Sequence, residues 1–143
     1  NNLISTETGN LLRVFNDFIM KFPVTSSFQI ASSADWGLQQ KTAGGTSNWY
    51  AGAIFGRFQA ASDLSFTLRG ETYLDKDQVI VTTGLPNGFQ VFGASLNADL
   101  QLTKALTWRN EARLLASADS VFGSSNGPST TDVFFVSSYG LSF

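Results

Sequence analysis

The sequence contains no cysteine and no histidine among its 143 residues. Without cysteine, the chain cannot form a disulfide framework or a thiolate metal site. Without histidine, it lacks the side chain that most often serves as a general base near neutral pH and as a metal ligand. Both absences argue against an enzyme, and we expect no catalytic residues, no metal site and no cofactor.

Charged residues are also scarce, at 14% of the chain against roughly 25% in soluble domains. The formal net charge of −2 gives no reason to expect nucleic acid as a partner. No uninterrupted apolar run approaches the roughly 18 residues that a membrane helix needs. The first residues contain no basic segment followed by an apolar one, so no signal peptide is visible.

Large apolar residues recur at every second position in seven segments of about 11 or 12 residues. Strict alternation over this length is typical of a strand with two different environments. We predict strands over residues 11–22, 27–39, 49–59, 64–75, 91–102, 106–115 and 133–143, in one domain that covers 1–143. Residues 1–10 alternate poorly and are predicted to be a loop or N-terminal end. Residues 79–81, Val-Ile-Val, are expected to form a short strand extension.

Charges within the predicted strands fall on only one of the two alternating sides. These residues, predicted to face a lumen, are Arg13, Asp17, Lys21, Asp35, Arg57, Arg69, Glu71, Asp75, Asp99, Arg109, Glu111 and Arg113. A soluble β-sandwich also alternates, but its strands usually have roughly 5–6 residues. Strands of about 11 residues suit a tilted crossing of a bilayer. The pattern therefore favours an all-β, antiparallel, up-and-down transmembrane β-barrel over the soluble sandwich.

Loop lengths and aromatic residues agree with a barrel. Short turns at 23–26, 60–63 and 103–105 alternate with longer loops at 41–47, 76–88 and 117–132, and short periplasmic turns with longer external loops are the outer-membrane rule. Phe143 and the three short turns are expected at one edge. Aromatic residues gather near both strand ends, as at membrane interfaces. The predicted girdle consists of Phe22, Phe28, Trp36, Tyr50, Phe58, Phe66, Phe92, Trp108 and Phe143.

Several longer motifs span nearly the whole chain, and the most specific is Arg-Gly-Glu-Thr-Tyr-Leu-Asp-Lys-Asp at 69–77. The others are RVFND at 13–17, WYAG at 49–52, GLPNGF at 84–89, WRNEAR at 108–113 and the terminal Leu-Ser-Phe at 141–143. Together they resemble the C-terminal part of the β-barrel porins of the OmpL-like, porin-2 type. The resemblance implies the outer membrane of a Gram-negative bacterium, a longer chain with more strands, and a porin-like role in transport.

The resemblance also implies partners. Membrane lipid would surround the barrel, the barrel assembly machinery would bind the C-terminal strand that ends in Phe143, and other outer-membrane proteins are further candidates.

The predicted strand count raises a problem of closure. Seven is odd, whereas single-chain bacterial barrels nearly always have an even number of strands. An open edge in lipid leaves backbone groups unpaired at a cost of several kcal/mol each. Either residues 1–9 supply an eighth strand, or strands N-terminal to this sequence complete the barrel. The weak alternation of residues 1–9 favours the second alternative.

Two functions outside catalysis fit these patterns. The first is a passive channel for small hydrophilic solutes, whose constriction would hold Arg57, Arg69, Glu71, Arg109, Glu111 and Arg113. The second is a structural or accessory subunit of an outer-membrane complex. Mixed signs on neighbouring strands also fit an ion-pair network that fills the lumen, as in barrels too narrow to conduct. Asp75 and Asp77 are only weak candidates for a calcium site, since calcium takes six to eight oxygen ligands.

Overall fold

The computed structural model describes residues 2–7 and 11–143, which fold entirely into strands, turns and loops. The strands are β1 Asn2–Glu7, β2 Leu11–Pro23, β3 Phe28–Gln40, β4 Thr46–Gln59, β5 Leu64–Asp75, β6 Phe89–Gln101, β7 Leu106–Ala116, β8 Phe122–Ser124, β9 Gly127–Ser129 and β10 Thr131–Leu141. The described residues contain no helix that is long and apolar enough to cross a membrane.

Eight of these strands form one antiparallel meander in the order β1-β2-β3-β4-β5-β6-β7-β10. The short strands β8 and β9 form a separate hairpin in the loop between β7 and β10. Over the described ranges, β1 and β10 do not pair with each other, so the sheet is not closed. The predicted all-β, up-and-down antiparallel architecture is confirmed.

Two local predictions are wrong. Residues 2–7 are not a loop, because their backbone pairs with residues 11–16 of β2, an interaction that requires no apolar alternation. The other predicted positions of that loop, residue 1 and residues 8–10, lie outside the described residues. Val79–Val81 do not extend a strand, because their N–H groups donate to the carboxylate of Asp75. The seven predicted strands match β2–β7 and β10 within three residues at each end.

Three four-residue turns close the meander at one edge, which we call the short-turn edge. In each turn, two successive N–H groups donate to one carbonyl of the next strand: Val24 and Thr25 to Phe28, Ala60 and Ala61 to Leu64, Leu102 and Thr103 to Leu106. Ser142 N–H donates to the carbonyl of Ala105 at 2.9 Å, so the end of β10 lies at this edge, as predicted. The opposite, long-loop edge carries residues 41–45, 76–88 and 117–130.

Strand register divides the sheet into two chemically different faces. The polar face consists of the odd-numbered residues of β2–β7 and the even-numbered residues of β10, and the apolar face consists of the others. Asp17 pairs with Asp35, and Arg113 pairs with Ser95, so these charges share one face. We predicted that twelve charged residues face a lumen. The register of the strands places all twelve on the polar face.

Burial on these faces is the reverse of that in a water-soluble protein. The buried side chains of the strands all belong to the polar face: Ser47, Trp49, Ser65, Asp75, Val91 and Ser95. The apolar face exposes its large side chains, with exposures of 60% to 72% for Phe18, Leu68, Phe92, Phe135 and Leu141. A continuous exposed apolar surface of this kind marks contact with a membrane or a protein partner. The side of the sheet that faces inward is therefore the charged one.

Neighbouring residues of β6 provide a test of this orientation. Leu96 is 54% exposed at the centre of the apolar face, and Asn97 lies on the polar face opposite Glu111. In lipid vesicles, Leu96→Arg should destabilise the protein by about 2–4 kcal/mol, the cost of arginine at the bilayer midplane. The matched variant Asn97→Arg should change stability by less than about 1 kcal/mol, because the new charge faces a carboxylate. Urea unfolding followed by tryptophan fluorescence measures both, and equal small effects would mean that water covers the apolar face.

Candidate functional site on the polar face

The polar face is concave across the middle of the sheet. One cavity of about 300 Å³ is lined by residues of all five strands from β3 to β7, including Asp35, Glu71 and Arg113. In a flat sheet β3 and β7 would lie about 19 Å apart, since neighbouring strands are about 4.8 Å apart. A second cavity of about 340 Å³ lies beside the first, and Arg69 lines both. The shared cavity walls and the burial of polar-face residues indicate that the sheet curls around this face.

Glu71 is the centre of a charge network in these cavities. Its Oε1 accepts a hydrogen bond from Arg113 Nε at 2.6 Å and another from Arg113 Nη2, and its Oε2 pairs with Arg69 Nη2. The side chain of Glu71 is only 13% exposed, and those of Arg69 and Arg113 are 30% and 25% exposed. Charge-assisted hydrogen bonds of this kind are stronger than neutral ones. The carboxylate therefore ties β5 to β7 and places two guanidinium groups at the cavity wall.

The bridge from Glu71 to Arg113 passes over β6 at Gly93. In the register, Gly93 lies between Glu71 of β5 and Leu115 of β7. A Cβ atom at this position would lie 2.6 Å from Glu71 Oε1 and 2.8 Å from Leu115 Cδ2. Any side chain there would displace the carboxylate, so the bridge requires glycine at this position.

Aromatic rings on the polar face support the arginines. Arg69 Cζ lies 5.3 Å from the centroid of the Phe55 ring, and Arg113 Cζ lies 5.7 Å from that of Phe134. Such cation–π contacts contribute about 0.5–2 kcal/mol each. The rings therefore provide each of the two guanidinium groups with a second contact besides Glu71. Alternation alone placed Phe55 among the charges and did not identify it as a support.

Trp49 forms a third contact of this type closer to the long-loop edge. Arg13 Cζ lies 5.8 Å from the Trp49 ring, and Trp49 itself is 4% exposed. The indole lies over Gly37 of β3, where a Cβ atom would overlap the ring. Burial of this large ring on the polar face therefore depends on the missing side chain of Gly37.

The charges of β2–β7 and β10 are segregated along the strand direction. The half of the polar face toward the long-loop edge carries five carboxylates and one arginine: Asp17, Asp35, Glu71, Asp75, Asp132 and Arg13. The half toward the short-turn edge carries five cations and two carboxylates: Lys21, Arg57, Arg69, Arg109, Arg113, Asp99 and Glu111. Glu71 and Arg69 are neighbouring polar-face residues of β5. The boundary between the acidic half and the basic half lies between them, and their ion pair crosses it.

Asp75 has a different role from the other predicted lumen residues. It is fully buried, and its carboxylate accepts hydrogen bonds from the N–H groups of Val79, Ile80 and Val81 at 2.8, 2.7 and 2.9 Å. It therefore holds the start of loop 76–88. Asp77, the other weak candidate for calcium, lies 3.9 Å from Lys41 Nζ. Over residues 2–7 and 11–143, no three potential metal ligands come together.

Gln78 holds the rest of that loop. Its Oε1 accepts hydrogen bonds from the N–H groups of Thr83 and Gly84 at 2.8 and 2.7 Å, and its Nε2 donates to the Leu85 carbonyl at 3.1 Å. Gly88 closes the loop at φ +67°, and a Cβ atom there would collide with the backbone carbonyls of 75 and 76. The loop between β5 and β6 is thus braced by two side chains that sequence reasoning had assigned no such role.

Aromatic residues on the apolar face form rows near both edges. Phe28 pairs with Phe58, which pairs with Phe66 on its other side, near the short-turn edge. Trp36 pairs with Tyr50 eight residues farther along the same strands, or about 26 Å. That separation is close to the roughly 25 Å height of the apolar band in outer-membrane barrels.

Tyr139 is an aromatic residue of the apolar face that does not belong to the predicted girdle. Tyr139 stacks on Trp108 with ring centroids 6.4 Å apart, and Trp108 Nε1 donates to Ser137 Oγ at 2.8 Å. The register pairs Trp108 with Tyr139 directly, a neighbour relation that alternation within one strand does not reveal. The only available signal was the position of Tyr139 on the apolar side of the last strand.

Comparison with known protein families gives a match over nearly the whole chain. The family model described as "Putative beta-barrel porin-2, OmpL-like" matches residues 2–143. No curated protein and no solved structure matches the chain. The matched range includes every strand of the sheet and the whole charge network.

Replacement of Gly93 tests the bridge over β6. Gly93→Ala should destabilise the protein by about 1–3 kcal/mol, because the methyl group displaces Glu71 and overpacks Leu115. Gly70→Ala is the control, since the nearest atom to its added Cβ is Ile54 Cγ2 at 3.7 Å. This variant should be neutral or slightly stabilising. Urea unfolding in vesicles compares the two, and equal effects would show that Gly93 is not specially constrained.

A double-mutant cycle tests the central ion pair. The coupling energy between Glu71→Gln and Arg113→Gln should be about 1–3 kcal/mol, because both side chains are largely buried and hydrogen-bonded. The cycle with Asp99→Asn and Arg109→Gln is the control. Their ion pair is 3.7 Å long and Arg109 is 57% exposed, so coupling below about 0.5 kcal/mol is expected. If the coupling energy between Glu71 and Arg113 is no larger than that of the control pair, the charge network does not stabilise the protein.

Proposed function

Because the chain belongs to the OmpL-like, porin-2 family of β-barrels, we propose that it forms part of the wall of a passive channel for small hydrophilic solutes in a bacterial outer membrane. The observation that carries the proposal is the reversed burial of the two faces. Most of the exposed large apolar residues lie on one face, and charged residues line the concave other face. Lipid fits the first surface and water fits the second.

The shape and chemistry of the polar face support a channel. Its two adjoining cavities are lined by charged and hydroxyl-bearing side chains, which can exchange hydrogen bonds with water and with polar solutes. In the proposed barrel, β1 and β10 pair with other strands, since lipid offers no partners to their outer N–H and C=O groups. A barrel larger than eight strands has room for a water-filled lumen beside the charge network.

The proposed barrel has binding partners and no catalytic activity. Lipid contacts the apolar face, and the barrel assembly machinery binds β10 and Phe143 at the short-turn edge, which faces the periplasm. Other outer-membrane proteins contact the long loops. The chain offers no histidine as a general base, and the central carboxylate of Glu71 is held by two arginines.

The ion-pair network favours a second candidate, a structural or accessory barrel subunit without transport activity. Arg69, Glu71 and Arg113 link β5 to β7 across the polar face and fill space that a solute would need. Loop 76–88 is braced by Asp75 and Gln78 and offers a rigid surface for docking. The two candidates differ in whether water passes through the lumen.

Conductance separates these functions. The full-length protein, reconstituted into planar bilayers, should give stepwise single-channel currents in KCl, because a water-filled lumen conducts small ions. Glu71→Gln should shift the ratio of Cl⁻ to K⁺ permeability toward Cl⁻, since it removes a negative charge from the wall. Asp63→Asn removes the same charge from a turn and should leave the ratio unchanged. Absence of current from folded protein would exclude the channel and leave the accessory role.

A further inference from the structure

Two cations on the polar face stand apart from the ion pairs. Lys21 of β2 and Arg57 of β4 are both exposed, and neither forms an ion pair within the part of the chain that the structure describes. Arg57 Nη2 donates to Ser65 Oγ at 3.1 Å, and no other N–H group of the guanidinium donates to a residue that the structure describes. By contrast, Arg69, Arg109 and Arg113 each face a carboxylate.

Lys21 and Arg57 line the same depression, which has a volume of about 460 Å³. None of the residues that line it carries a carboxylate. Its polar groups include Gln29, Ser33 and Thr67, and its apolar walls include Ile19, Ala31 and Phe55. The depression therefore combines two positive charges with an apolar surface.

A smaller depression of about 250 Å³ continues from the first toward the short-turn edge. It shares Gln29 and Arg57 with the first and is otherwise lined by Ser26, Ser27 and Gln59. This extension also lacks a carboxylate. Arg57 thus lies where an apolar-walled pocket meets a hydroxyl- and amide-lined one.

The acidic residues of the polar face lie outside the lining of this depression, either farther along the strands or opposite other cations. Asp17 precedes Lys21 by four residues on β2, or about 13 Å, and Asp35 lies directly opposite Asp17. That distance exceeds the Debye length of about 8 Å at physiological ionic strength. Glu71 is held by Arg69 and Arg113. The local charge of the depression is therefore positive.

Asp99 and Glu111 complete the acidic residues of this half of the face. Asp99 faces Arg109 of β7 at 3.7 Å. Glu111 also belongs to β7, three strands away from Arg57 in the sheet order, and lines the neighbouring cavity together with Asp99 and Arg109. Neither carboxylate lines the depression.

We propose that this depression binds small organic anions, with Lys21 and Arg57 holding a carboxylate and Ile19, Ala31 and Phe55 contacting its apolar body. The inference rests on the proposed function, since it needs the polar face to be accessible to solutes, and it names the class of solute that the channel retains. Two cations without a counterion favour an anion over a neutral sugar. The apolar walls favour an organic acid over inorganic phosphate.

Block of the channel current by benzoate tests the site, with benzamide as the neutral probe of the same shape. Benzoate should interrupt the current of the full-length protein at concentrations where benzamide does not. In the double variant Lys21→Gln, Arg57→Gln, the benzoate dissociation constant should rise about tenfold or more, because two charge-assisted contacts are lost. Arg57→Lys keeps the charge and should retain benzoate block.

Lys104→Gln is the control for general surface charge, because it removes a positive charge from the turn between β6 and β7 at the same edge. Its benzoate dissociation constant should stay within about twofold of the original value. An equal loss in this variant would mean that general surface charge attracts benzoate, and the site would be rejected. Equal block by benzoate and benzamide would also reject it.

Calorimetric titration of the detergent-solubilised, folded protein with benzoate separates this inference from the proposed function. If the protein carries no current but binds benzoate, and this binding requires Lys21 and Arg57, the result would support the site and exclude the channel. Current without benzoate binding would support the channel and overturn the site. A change of gel mobility on heating shows that each variant is folded. The variant Arg57→Lys keeps the positive charge and so distinguishes the loss of charge from the loss of the fold.

Discussion

A strand in contact with lipid cannot leave its backbone N–H and C=O groups unpaired, because no water is available there to bind them. The meander meets this constraint between its strands, because each of its eight strands pairs with the next one in the sheet order. At the short-turn edge, pairs of N–H groups are satisfied by a single carbonyl of the following strand. Within the described residues the outer sides of β1 and β10 stay unpaired, so the proposed barrel requires partners for them.

Pairing of the backbone has a direct consequence for the side chains. Alternate residues must face opposite media, so the few charged residues collect on one face at high density. Opposite charges then become neighbours across strands, and Glu71 binds arginines on β5 and β7. Space for this contact comes from Gly93 on the strand between them.

Alternation in the sequence predicts the seven long strands and the side on which each charge lies, because a period of two is a property of the strand itself. It cannot predict contacts that depend on register between strands or on loop conformation. The Glu71–Arg113 bridge joins residues 42 positions apart, and its glycine gap belongs to a third strand. Asp75 continues the alternating pattern of β5, yet its carboxylate binds loop N–H groups. Residues 2–7 form a strand through backbone pairing, which leaves little trace in side-chain pattern.

Only some of the cations on the polar face form ion pairs, and the position of the carboxylates determines which ones do. Glu71 and Asp99 lie on β5 and β6, within reach of Arg69, Arg109 and Arg113. On β2–β4, the carboxylates lie toward the long-loop edge, whereas Lys21 and Arg57 lie toward the short-turn edge. Cations beside carboxylates contribute to the stability of the sheet, and cations separated from them retain their capacity to bind an anion. The polar face thus contains one set of cations that form ion pairs between strands and a second set, Lys21 and Arg57, that we propose to be available to a solute.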